Sequence, residues 1–64
     1  MTKAEALGAM SMGHRVTHDY FTSNEWMKLD GGHYEFEDGC RCTPSEFWRW
    51  RDDLAWETGW SIFK

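Results

Sequence analysis

Asp30-Gly31-Gly32 separates two segments that each alternate apolar and polar residues, and this fixes the middle of the chain as an antiparallel hairpin. Glycine, and to a lesser degree aspartate, tolerates the positive φ that a tight hairpin turn demands. The spacing predicts a strand over 25–29, with Trp26 and Lys28 on one face and Met27 and Leu29 on the other. It predicts a returning strand over 33–37, with Tyr34 and Phe36 opposite the charged residues. Asp38-Gly39 is a second tight turn, leading to a short strand over 40–42. The β-branched stretch His14–His18 reads as an earlier strand, and Trp60–Phe63 as a closing one.

The helices announce themselves by their caps. In Thr43-Pro44-Ser45-Glu46, threonine caps, proline takes the first helical position and glutamate reaches back to complete a capping box. Thr2-Lys3-Ala4-Glu5 has the same pattern, and Ala6, Leu7, Ala9 and Met10 follow at helical spacing until Gly13. The second helix is expected to run from Pro44 to Arg51 or Asp53, with Phe47, Trp50 and Leu54 on its core face. Thr58-Gly59 ends the helical region. The expected fold is therefore α+β, a single domain over 1–64 with an antiparallel sheet of about four strands and two helices.

Size then limits what such a fold can do. With 64 residues, a domain buries only ~60% of the surface its unfolded chain exposes. Eleven aromatic residues, five of them Trp, compensate with bulk, each able to bury ~150–250 Å². Five tryptophans are too many for so thin a core, so aromatic surface is left for a partner subunit or ligand. A closed active site has little room. The formal charge of −4 disfavours generic nucleic-acid binding, which needs a net basic face. The absence of a long apolar run argues against a membrane span or signal peptide. Cys40 and Cys42 are one residue apart, a spacing that suits free thiols better than a disulfide.

Four constellations are candidates for chemistry. His14, His18, His33, Cys40 and Cys42 include enough zinc-ligand types, but not in the paired spacing of structural zinc sites. Cys40 or Cys42 with His33 could be drawn as a nucleophile and base, without the third orienting group that catalysis needs. Glu35, Glu37 and Asp38 make an acidic hairpin edge. The run Phe47-Trp48-Arg49-Trp50-Arg51 combines indole faces with guanidinium groups, the pairing that suits a planar anionic ligand. Its simpler reading is a solvated helix whose arginines balance Glu46, Asp52 and Asp53. The loop holding Tyr20 and Phe21 is either a binding loop or a pair of core plugs.

Ala4-Glu5-Ala6-Leu7 through Gly13-His14-Arg15-Val16, followed by an aromatic loop, a hairpin and Gly59-Trp60-Ser61-Ile62-Phe63, resembles the small phage and prophage proteins related to the Thoeris anti-defence family. The resemblance implies a compact α+β subunit that forms homo-oligomers and sequesters cyclic-nucleotide immune signals without cleaving them. It sharpens the expectation to a non-enzymatic accessory protein in the host cytoplasm that needs no cofactor and binds a small nucleotide. Tyr20, Phe21, Trp26 and Trp48 are the expected stacking residues, and Arg15, Arg49 and Arg51 the expected phosphate partners. Two alternatives stand beside it. One is an acidic inhibitor of a host defence nuclease or other host enzyme, acting through Glu35–Asp38. The other is a zinc-stabilised interaction module.

Overall fold

The computed structural model describes residues 1–64. The chain runs α1 (Lys3–Ser11), β1 (Val16–His18), β2 (Met27–Asp30), β3 (His33–Phe36), β4 (Arg41–Cys42), α2 (Pro44–Trp48), a 3₁₀ turn (Leu54–Trp56) and β5 (Trp60–Ile62). The five strands form one antiparallel sheet in the order β4-β3-β2-β1-β5. The fold class is α+β as the residues predict, with one strand more than the expected four or so. A meander gives β1 to β4, and β5 returns from beyond α2 to pair with β1.

Local chemistry explains most of these elements. Both capping boxes form: Thr2 Oγ1 accepts the Glu5 amide while Glu5 Oε1 accepts the Thr2 amide, and Thr43 and Glu46 repeat the exchange. The β2–β3 turn places Gly31 at φ 59 and Gly32 at φ 82, values a side chain would resist. The helices differ from expectation at one end. Helix α2 stops at Trp48, well short of Arg51–Asp53, and the backbone leaves helical geometry through a turn at Arg49–Trp50. Arg51 closes that end by donating from its guanidinium to the Phe47 carbonyl at 3.0 Å.

This early stop overturns part of the expected core. Phe47 is buried, but Trp50 is 81% exposed and Leu54 86% exposed. Their shared face existed only while the helix continued, because a three- or four-residue spacing aligns side chains only at 3.6 residues per turn. The core is instead Ala6, Met10, Val16, Met27, Tyr34, Phe47 and Trp60. Of the apolar residues of α1, Ala6 and Met10 are buried while Leu7 lies at the margin.

Strand alternation and this core place both helices on one face of the sheet. Val16, Met27, Tyr34 and Trp60 point into that helical layer. Thr17, Lys28, Glu35, Arg41 and Ser61 therefore lie on the opposite face, which no helix covers. At the outer edge of β5, the Met1 nitrogen donates to the Trp60 carbonyl at 2.7 Å, and the Trp60 amide donates to the Met1 carbonyl at 3.2 Å. This bridge occupies part of an otherwise open strand edge.

Candidate functional site

The seven expected ligand residues fall into separate places. Arg15 and Trp26 come together on the open sheet face, joined by Phe63 from beyond β5. The Arg15 guanidinium lies 5.2 Å from the Trp26 ring centroid and 5.3 Å from that of Phe63. The two rings are 6.4 Å apart and tilted by 47°. The Phe63 amide donates to the Arg15 carbonyl at 2.9 Å, so the β1–β5 pairing fixes the backbones that carry two members of the group.

Charge distinguishes Arg15 from its neighbours. The protein has two ion pairs, Lys28–Glu35 and Arg41–Asp30, each at 3.5 Å and each at the β2–β3–β4 end of the sheet. Arg15 has neither a carboxylate partner nor a side-chain hydrogen bond within the chain. Its planar cation is held by two aromatic faces, and its N–H edges remain free to meet an anion.

Tyr20, Phe21, Trp48 and Arg51 belong instead to an aromatic mass in the helical layer. Phe21 is half-buried, 5.9 Å from Trp60 and 6.1 Å from Trp56. Tyr20 is 68% exposed and meets Trp56 edge-on at 5.3 Å. One aromatic of this loop thus packs inward while the other stays out. Trp48, an expected stacking residue, is half-buried and donates from Nε1 to the Tyr34 hydroxyl at 2.9 Å. Lys3 covers its ring at 4.1 Å. Arg51 lies over Phe47 at 4.3 Å and Trp56 at 5.4 Å while it caps α2. Arg49 is exposed and in no ion pair.

At the centre of this mass is His18, 4% exposed. Its Nδ1 accepts the Tyr20 amide at 3.0 Å, and its Nε2 lies 2.8 Å from the Thr58 carbonyl and 3.1 Å from that of Ala55. The tautomer with hydrogen on Nε2 satisfies all of these contacts. The imidazole also packs 4.3 Å from Trp56 and 4.7 Å from Trp60. It fastens the β1–β2 loop to the turn before β5, and nothing in its local sequence signals that task.

The remaining constellations do not assemble into a metal site. No three His, Cys, Asp or Glu side chains converge as metal ligands. Cys40 and Cys42 are free thiols. Hydrogen bonding to Asp38 and the negative charge of that carboxylate push the Cys40 thiol up, and burial pushes Cys42 up. Both shifts oppose formation of a nucleophilic thiolate. The Asp38 carboxyl is itself held down by the Cys40 amide, which donates to it at 3.0 Å. Burial pushes the Tyr34 hydroxyl up, so it remains a neutral acceptor for Trp48. No pocket opens on the surface of the single chain.

Phe63 is the member of the sheet-face group that the sequence did not single out. Its signal was strand parity, since Arg15 and Phe63 share a face once β1 and β5 pair. That pairing joins segments more than forty residues apart. No family model, curated protein or solved structure matches the chain.

Proposed function

We propose that this protein is a non-enzymatic phage or prophage accessory factor that binds a nucleotide-type immune signal and withholds it from host defence. The observation that carries the reading is the Arg15 guanidinium, held by Trp26 and Phe63 on an uncovered sheet face with no carboxylate partner. A phosphate pairs with the free N–H edges of the guanidinium, and a base lies against the remaining indole surface of Trp26. Sequestration requires affinity and slow release, without bond cleavage. Since a single chain has no pocket, enclosure of the ligand falls to further copies of the chain in a homo-oligomer.

The test is a thermal-shift panel of cyclic di- and trinucleotides and cyclic ADP-ribose isomers, followed by recovery of the bound compound after heat denaturation. The expected result is stabilisation by at least one compound, recovered intact. Arg15→Gln should weaken that binding by about tenfold to a hundredfold, the worth of a charged hydrogen bond. The absence of any shift across the panel would defeat the proposal.

A second reading rests on the β3–β4 turn, where Glu37 and Asp38 are exposed and in no ion pair. An acidic turn of this kind suits the basic groove of a host enzyme. Capture of one host enzyme that is lost on Glu37→Lys with Asp38→Lys, with no response to nucleotides, would favour it.

A further inference from the structure

The open sheet face carries a second cation beside Arg15. Val16 pairs with Met27, and the Phe63 amide bonds to the Arg15 carbonyl, which turns that carbonyl toward β5. Continuing the β1–β2 register by one residue sets Arg15 across from Lys28. Because the backbone of Arg15 is engaged on its other side, this is a non-hydrogen-bonded pair, the kind in which Cα atoms approach to ~4.5 Å. Like charges directly opposite one another destabilise a sheet unless an anion lies between them.

The chain itself neutralises only one of the two. Glu35 pairs with Lys28 at 3.5 Å and with no other cation. Arg41 is in register with Glu35 but turns to Asp30, 3.5 Å from its carboxylate and 3.1 Å from its carbonyl. The row Arg41–Glu35–Lys28–Arg15 therefore crosses the sheet with three cations and one carboxylate. The Lys28–Glu35 pair is at the surface, with the Lys28 side chain 41% exposed, so an incoming anion can compete for the ammonium. Carried past Phe36, the β2–β3 register sets Glu37 across from Trp26, which suits the amino edge of a base there and not a second phosphate.

These charges discriminate between kinds of phosphate. A diester carries a single negative charge, whereas a terminal monoester carries about −1.5 to −2 at neutral pH and has three acceptor oxygens. The monoester can meet the guanidinium fork and the ammonium together. We infer that Arg15 and Lys28 jointly hold a terminal phosphomonoester, so that the sheet face prefers a nucleoside monophosphate end to a cyclic or internal phosphodiester. This rests on the reading of Arg15 and Trp26 as ligand-holding residues, and not on a cyclic form of the ligand.

Nuclear magnetic resonance titration of the labelled protein at low salt tests it, with the Trp26 indole N–H as the local reporter. The probes are adenosine 5′-monophosphate, adenosine 3′,5′-cyclic monophosphate and ribose 5-phosphate, each to about 10 mM, within reach of millimolar affinity. The 5′-monophosphate should bind about tenfold more tightly than the cyclic compound, the worth of one more charged hydrogen bond. Ribose 5-phosphate, which has no base for Trp26, should bind more weakly than the 5′-monophosphate. Lys28→Gln should collapse the preference for the monoester, and Glu35→Gln should raise affinity for it by freeing Lys28. Melting midpoints close to the parent's establish that both variants are folded. Equal affinity for the two adenosine compounds, or a preference that survives Lys28→Gln, overturns the inference while leaving Arg15 and Trp26 as ligand-holding residues. Ribose 5-phosphate binding as tightly as the 5′-monophosphate overturns the nucleotide assignment. A Trp26 indole that responds to neither adenosine compound also overturns the inference, and the panel of cyclic compounds then decides the wider reading separately.

Discussion

The His18 imidazole reaches forty residues along the chain to bond the Thr58 carbonyl at 2.8 Å, while the Tyr20 amide holds its other nitrogen. One buried ring therefore satisfies backbone groups from two irregular segments that have no strand pairing of their own. His18→Ala removes the ring packing and leaves those groups without a partner. The expected loss is about 2–4 kcal/mol. A lowered urea midpoint with an unchanged slope would verify it, and a midpoint shift under ~1 kcal/mol would contradict it.

Trp48 and Tyr34 should be energetically coupled. Tyr34→Phe keeps the packing but leaves the Trp48 Nε1–H without its acceptor, at a cost of about 1–2 kcal/mol. Once Trp48 is already Phe, the same change should cost much less. A double-mutant cycle by chemical denaturation measures the difference, expected near 1 kcal/mol.

The capping boxes give the protein an acid limb. Backbone hydrogen bonds from Thr2 and Thr43 hold the Glu5 and Glu46 carboxyls below their ordinary value of 4.5. A group with a lowered folded-state value contributes stability above its unfolded value and loses it as pH falls through the folded one. Melting temperature should therefore begin to fall near pH 4.5 and keep falling below it. Glu5→Gln and Glu46→Gln should each make that limb shallower. A thermal-melt series across this acid range, with both variants beside the parent, reads the slope directly.

Glycine substitutions should have opposite signs at two positions. Gly8 lies inside α1 with open space where a Cβ would go, so Gly8→Ala should stabilise by about 0.5–1 kcal/mol. Gly59 sits at φ 88, and a Cβ there would approach Asp19 Oδ2 and His18 Nε2 at 3.1 Å. Gly59→Ala should therefore destabilise by more than ~1 kcal/mol and disturb the His18 connection. Calorimetry of both variants checks the signs, and stabilisation at Gly59 would contradict the geometry.

What the sequence determined by itself was local. Thr2–Glu5 and Thr43–Glu46 specify helix starts because their hydrogen bonds close within four residues. Asp30-Gly31-Gly32 specifies a hairpin because the turn needs positive φ at consecutive residues. The α+β class followed from those signals. The tertiary structure decided what depends on distant partners. Helix α2 stops at Trp48, and the arginine that closes it is held on Trp56, eight residues beyond that stop. That stop turned Trp50 and Leu54 outward against their apparent periodicity. The return of β5 beside β1 brought Phe63 to Arg15 and Trp26, while Phe21, Trp48 and Arg51 went into the helical layer. Strand parity within one segment can be read from spacing. Which strand becomes its neighbour, and so which residues share a face, is set by burying the one apolar surface that α1, α2 and the sheet can close together.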